Sequence, residues 1–215
     1  MKVIDLTHMI SEDMPVYPGT EPPKLEVANT LEVDGFKETL MTMYSHTGTH
    51  MDPPAHIYAD GKTLDELPVD HFVGKAIVVD CSDLIEDDRL IDISYINKKR
   101  ELVDQAEYVF FHTGWGKKWG TPEYFGKFPV VNREVVDYLT TTKKKGFGVD
   151  VISIEPIADE DLPMHNVVLK NEIVIIENLD NLDMLGDGLF TVCVLPLRYK
   201  NADGSPIRAI AILED

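Results

Sequence analysis

Between Ser45 and His56 the chain reads Ser-His-Thr-Gly-Thr-His-Met-Asp-Pro-Pro-Ala-His, so that three imidazoles and one carboxylate fall within eleven residues, His46 to His56. Neutral imidazole nitrogen and carboxylate oxygen are the donors that a borderline divalent ion such as Zn²⁺ accepts, and three protein ligands leave one coordination position open for water. His46, His50 and Asp52 are the candidate ligands. His56, four residues beyond the last of them, is the candidate proton carrier, because an unperturbed imidazole pKa of ~6.5 suits proton transfer near neutrality. A structural site closed by four ligands has no use for such a neighbour.

The spacing constrains the backbone that must hold these groups. His46 and His50 can share a helical face, but Asp52 lies about 200° further round from His50, so a helix fails. Fully extended, the six steps from His46 to Asp52 cover roughly 20 Å, too far for atoms that meet on one ion. The segment must curl, with Gly48 as the natural pivot because glycine tolerates positive φ. Pro53-Pro54 is expected to block any helix or inner strand directly after the ligands.

The string HTGTHMDPPAH, followed by Tyr58 and by Leu64-Asp65-Glu66-Leu67-Pro68, resembles the His-x-Gly-Thr-His-x-Asp-x-Pro-x-His signature of the cyclase-like metal hydrolases, the family of bacterial kynurenine formamidase and isatin hydrolase. Weaker pieces follow in order: Ile4-Asp5-Leu6-Thr7 with Met14-Pro15-Val16-Tyr17-Pro18-Gly19, then Thr113-Gly114-Trp115, then Gly148 to Glu155, then Asp203 to Ala209. The resemblance implies that His46, His50 and Asp52 bind metal and that His56 acts as base or acid. It also implies a second ligand pair, for which His165 and Glu177, twelve residues apart, have the spacing found in the formamidase branch. Their setting agrees, since residues 162–169 read as a short helix and 173–179 as a buried strand ending in a polar loop. Glu155 stands where many members carry an aspartate.

The activity so implied is metal-assisted hydrolysis of a carbon–nitrogen amide bond. An arylformamide of the N-formylkynurenine type is the expected substrate; the alternatives are opening of a cyclic amide of the isatin type, or a metal-binding protein without turnover. The cofactor is a divalent metal, Zn²⁺ with Mn²⁺ as the alternative, at one or two ions per chain. The family also implies a homodimer or higher homo-oligomer.

Composition sets the remaining bounds. At 215 residues with 44% hydrophobic content, residues 1–215 are expected to form a single domain with a sizeable core. A formal net charge of −18 repels phosphates and anionic lipid, so nucleic acid and membrane are not expected partners and a small molecule is. The acidic residues are scattered apart from Glu86-Asp87-Asp88 and Asp159-Glu160-Asp161, which read as solvated faces. Cys81 and Cys193 read as buried free thiols, consistent with a reducing, cytoplasmic setting. His8, His71 and His112 read as structural or surface histidines.

Strand signals occupy residues 3–6, 37–43, 75–80, 108–112, 148–153, 173–177, 189–195 and 207–213, with Asp34-Gly35 as a hairpin signal. Helical periodicity is clearest over 133–145, with Gly146 as its stop, and weaker over 92–100. The mixture predicts a compact α+β (or α/β) mixed-sheet domain, which the resemblance sharpens to the swivelling β/β/α type. The loop from Gly114 to Gly120 lacks the spacing of a phosphate loop; it either offers Trp115 or Trp119 to a pocket mouth or simply packs them. Tyr17-Pro18-Gly19 reads as a turn, and by resemblance as a pocket wall. No Gly-x-Ser-x-Gly elbow supports a serine nucleophile.

Overall fold

The computed structural model describes residues 1–84 and 90–214; Glu86-Asp87-Asp88 lie outside the described residues. Its strands are β1 (Lys2–Asp5), β2 (Lys24–Asn29), β3 (Glu38–Thr42), β4 (His50–Asp52), β5 (Val73–Asp80), β6 (Leu90–Ile91), β7 (Tyr108–His112), β8 (Val130–Val131), β9 (Gly146–Val149), β10 (Val174–Glu177), β11 (Phe190–Pro196) and β12 (Ser205–Leu213). The helices are α1 (Leu31–Asp34), α2 (Ile93–Lys98), α3 (Arg100–Gln105), α4 (Arg133–Thr141) and α5 (Pro163–Lys170). This is the mixed α+β architecture that the strand-rich pattern predicts.

Eight strands form one sheet in the order β1-β12-β11-β5-β7-β9-β10-β4. The start of β12 also pairs with β4, Ser205 opposite Met51 and Pro206 opposite His50, so the sheet closes on itself through every strand but β1. The run β5-β7-β9-β10 is parallel, which demands crossovers; α2 with α3, then α4, then α5 provide them. Side chains alternate across each strand and so sort into two cores. Val78, Tyr108, Phe110, Val174 and Ile176 point into the enclosure with Met51, Val192 and Ala209. Ile77, Val79, Val109, Phe111 and Ile175 point outward beneath Val135, Val136 and Leu139 of α4 and Val168 and Leu169 of α5. Burial on both faces is why these strands read as near-continuous apolar runs.

Several boundaries differ from expectation, each for a local reason. α4 stops at Thr141 rather than running to 145, and the chain reverses at Lys143 with φ 52°. Gly146 is no helix stop. It lies in β9, where a Cβ would meet the Val174 and Tyr108 side chains at 2.6 and 2.7 Å. The strand expected over 148–153 ends at Val149, because the buried Asp150 carboxylate turns to accept bonds from the Thr113 and Gly114 amides. β2 and β3 do pair, but the helical turn α1 joins them, ended by Gly35 at φ 79°. β2 escaped notice because its residues are mostly exposed and show no buried face. Cys81 is buried as expected, whereas Cys193 is only half-buried.

Candidate active site

The candidate ligand segment curls where the spacing requires it. Gly48 has φ +63°, and its carbonyl is held by Asn178 Nδ2 at 2.9 Å. The same carbonyl lies 2.8 Å from His50 Nδ1. In the neutral ring that bond places the proton on Nδ1, so that Nε2 is the nitrogen able to serve as a ligand once its own proton is displaced. Beyond the curl the chain becomes β4, and alternation sends Met51 into the enclosed core while His50 and Asp52 take the other face.

Register then recruits a distant residue. In the β4–β10 pairing Glu177 lies opposite His50 and Ile175 opposite Asp52, and cross-strand partners share a face. Glu177 Oε2 consequently sits 3.5 Å from His50 Nε2, and His50 Nε2 is 3.3 Å from Asp52 Oδ1. α5 covers this face, its Val168 and Leu169 buried in the outer core. Its His165 Nε2 is 3.5 Å from Glu177 Oε1 and 3.9 Å from Asp52 Oδ2. His46 Nδ1 closes the cluster at 2.6 Å from Asp52 Oδ1.

Two donor groups emerge, His46–His50–Asp52 and Asp52–His165–Glu177, the donor atoms of each lying within 4.8 Å of one another. Asp52 belongs to both. Two ligands ~2.0–2.1 Å from a tetrahedral ion stand roughly 3.3 Å apart, so the observed 3.3 to 3.9 Å separations suit a divalent ion with small adjustments. The donors are imidazole nitrogen and carboxylate oxygen, the set that Zn²⁺ or Mn²⁺ accepts. The twelve-residue spacing of His165 and Glu177 thus does bring both to the first cluster.

β4 stops at Asp52, but a one-turn 3₁₀ helix, Pro54–His56, begins at the second proline. The expectation that no helix follows is corrected here: proline at the first helical position gives up an N–H that has no partner there anyway, and its φ is already suitable. The turn brings the His56 ring to 4.0 Å from that of His46 and 6.1 Å from that of His165. Tyr58 Oη donates to the Asn166 carbonyl at 2.8 Å, tying the turn to α5.

Electrostatics divide the histidines. Burial alone lowers the pKa of His50, but the Asp52 and Glu177 carboxylates outweigh it and raise the value to about 9. Burial likewise opposes, and Glu155 and Glu177 overcome, a rise to about 10 at His165. The Asp52 carboxyl is buried, yet His50 and His46 hold it well below the usual carboxylate range. His56 goes the other way: burial lowers it, only partly opposed by Asp52. A neutral imidazole therefore stands beside a charged cluster.

Residues not assigned from sequence support this arrangement. Glu155 Oε1 accepts from His165 Nδ1 at 2.5 Å, and its other oxygen accepts from the Met164 amide at 2.8 Å. One carboxylate thus caps the start of α5 and sets the tautomer of His165. α5 needs this because its N-cap, Leu162, has no capping side chain. An acid ten residues ahead of a histidine carries no recognisable spacing, so only the fold shows the pairing. Tyr124, likewise unassigned, donates through Oη to Asn178 Oδ1 at 2.7 Å.

A cavity of about 650 Å³ opens onto the cluster, lined by His46, His50, Asp52, His56, His165 and Glu177 at its base and by Val16, Tyr17, Pro18, Tyr44, Ile152, Ile157 and Leu162 around them. Tyr17 and Pro18 are both turn and wall, the Thr20 amide bonding back to the Tyr17 carbonyl at 3.0 Å. Neither tryptophan reaches this cavity. Trp115 is fully buried and donates to the Tyr124 carbonyl, while Trp119 stacks on His8 with ring centroids 3.9 Å apart.

Comparison with known proteins finds relatives that span nearly the whole chain. A family model described as putative cyclase matches residues 4–156. A kynurenine formamidase of Bacillus cereus is 33% identical over 213 residues, covering 96% of this chain and 95% of that one. Among solved structures, an isatin hydrolase bound to the product analogue thioisatinate superposes with a TM-score of 0.89 at 24% identity over 100% of this chain and 93% of that one, a likeness of fold. A structure described as a potential metal-dependent hydrolase with cyclase activity gives a TM-score of 0.80 at 27% identity, over 98% and 96% of the two chains.

Proposed function

The chain belongs to the cyclase family, and from that premise we propose that it is a metal-dependent hydrolase of a carbon–nitrogen amide bond acting on arylformamides of the N-formylkynurenine type. The observation that carries the reading is the convergence of two imidazole–carboxylate groups on Asp52, with the lowered-pKa His56 beside them, at the base of a largely apolar cavity. The substrate class is supported by the formamidase relative, 33% identical across nearly the whole chain.

His46, His50 and Asp52 would hold one divalent ion, and Asp52, His165 and Glu177 a second; Zn²⁺ suits the mixed donors, with Mn²⁺ the alternative. Such an ion supplies Lewis acidity, polarising a carbonyl and lowering the pKa of water. The chain's own residues do the rest. Val16, Tyr17, Ile152 and Ile157 exclude bulk water and receive an aromatic ring. His56, neutral near pH 7, takes a proton from the attacking water and delivers it to the leaving nitrogen. A carbon–oxygen bond forms as the carbon–nitrogen bond breaks, and an arylformamide yields formate and the free arylamine.

The reading includes one domain, a cytoplasmic setting and a homodimer or larger assembly. Two cysteines without a disulfide support the setting, and no helix among the described residues is long and apolar enough to cross a membrane. The β2–β3 hairpin supports assembly: every residue of β3 is exposed, and Val27, Val33, Phe36 and Leu40 are all at least half exposed, which is more apolar surface than a free two-stranded hairpin holds comfortably.

Stripping the protein with a chelator, reloading it with Zn²⁺ or Mn²⁺ and assaying arylformamides beside cyclic amides tests the function. Metal-dependent release of formate is the expected result. A fully loaded protein that hydrolyses neither class overturns it.

A further inference from the structure

His46 presents its two ring nitrogens to different partners. Nδ1 faces the donor cluster, 2.6 Å from Asp52 Oδ1, whereas Nε2 is buried without a hydrogen-bond partner. Asp203 Oδ2 lies 3.7 Å from that nitrogen. The turn carrying Asp203 is built against the ring: a Cβ at Gly204 would stand 2.4 Å from both Cε1 and Nε2 of His46, so only glycine lets the backbone approach so closely.

The same turn is fastened from several sides. Ser45 Oγ donates to Asp203 Oδ2 at 3.3 Å, and Tyr199 Oη donates to Asp203 Oδ1 at 3.2 Å and to the Gly204 carbonyl at 2.5 Å. The Leu64-Asp65 pair takes part as well. Asp65 Oδ1 accepts from the Ala202 amide at 3.1 Å, and the Leu64 amide donates to the Ala202 carbonyl at 3.0 Å. Ser205 follows directly and pairs with Met51 between two ligands. Asp203 and Gly204 lie 151 and 152 residues beyond Asp52, yet this turn sets the wall on which the first histidine of the motif rests.

Resting on the metal reading above, we infer that Asp203 and Gly204 are positioning residues for His46: Gly204 gives the ring its place, and Asp203 accepts a hydrogen bond from Nε2–H, keeping the proton there so that Nδ1 is the ligating nitrogen. A ligating imidazole ordinarily donates its other N–H to a carboxylate or carbonyl, which fixes tautomer and orientation. The 3.7 Å separation is roughly 0.8 Å beyond a 2.9 Å hydrogen bond, a gap that the half-exposed Asp203 side chain closes by a small rotation. His50, through Gly48, and His165, through Glu155, already have such acceptors, and Asp203 completes the set.

The test is Zn²⁺ affinity of the full metal-free chain, read by competition with a chromophoric chelator and so without substrate. Asp203→Ala should weaken binding about 10- to 100-fold, the usual cost of losing such a partner. Asp203→Asn keeps an acceptor oxygen and should lose no more than about threefold by the same reasoning. An equal loss in both assigns the effect to charge alone and overturns the positioning role, as does unchanged affinity in Asp203→Ala. Thermal unfolding of the metal-free variants checks folding. If Asp203→Ala fails to fold, Ser45→Ala carries the same decision: a loss of about threefold supports the inference, and none defeats it. A wild-type chain that binds no Zn²⁺ defeats the metal reading itself, whereas a Zn²⁺-binding chain indifferent to these substitutions defeats only this inference.

Discussion

His46, His50, Asp52 and His56 come from one stretch of eleven residues, whereas His165 and Glu177 reach the same cavity from more than a hundred residues later. The near half depends on a local curl at Gly48 and a short strand. The far half depends on register and packing: Glu177 meets His50 only because β10 pairs with β4 in one alignment, and His165 only because α5 lies on that face with Glu155 at its start. A one-residue slip between β4 and β10 would turn Glu177 into the enclosed core. The near half takes its shape from its own curl and leans on remote residues only at its edges, Asn178 at the Gly48 carbonyl and Asp203 and Gly204 beside His46; the far half takes its whole placement from register and packing.

Among the described residues Asp52 is the one common to both donor groups and so links the two halves, and its removal gives the largest effect. Asp52→Ala should abolish bound metal in both groups and cut turnover by about 10³-fold or more, some 4 kcal/mol of barrier; elemental analysis and kinetics on the purified variant measure both. Full occupancy after this change would mean that the halves do not share a carboxylate. His56→Ala belongs to the near half without being a ligand. It should retain its metal and lose roughly 10²-fold or more in kcat, and loss of metal instead would make His56 a ligand.

Acidity acts on both halves together. In the metal-free protein His50 and His165 titrate at about 9 and about 10, above the ordinary ~6.5, so both hold protons at pH 7. Their protonated forms stabilise the metal-free fold fully below pH ~6.5, and that contribution disappears as pH rises through 9 to 10. Metal must displace these protons, so apparent affinity should rise with pH, by up to about 10²-fold per unit if both are released. Calorimetry in buffers of different ionisation enthalpy counts the protons, and a pH-independent affinity between 6 and 8 would contradict the assignment. The smallest effect isolates the far half. Glu155→Ala frees His165 and uncaps α5, and should weaken metal binding about tenfold while the His46–His50 geometry is kept; a loss as deep as that of Asp52→Ala would show that the halves fold together.

Chemistry written into contiguous residues was legible. The donor types between His46 and Asp52, the need for a curl and Gly48 as its pivot follow from bond lengths and glycine's freedom alone, and β7 was readable to the residue because it is apolar and bounded by turns. Where the reading failed, a tertiary contact had overruled a local preference. Gly146 resembles a helix stop but is a glycine because Tyr108 and Val174 leave no room for a Cβ. For Trp119 the loop left a pocket mouth and plain packing equally open, and stacking on His8 decides for packing.

The sequence by itself determined a segment with the donors of a metal site, an imidazole beside it and a strand-rich domain, since those depend on residue type and on separations the backbone spans locally. His165 and Glu177 had the right separation, but twelve residues of chain do not say which way two side chains point. Only the closed sheet decided that, along with the places of Glu155, Asp203 and Gly204, because strand register and helix packing are set by burial of the two cores as wholes, a sum over contacts that no single stretch of chain contains.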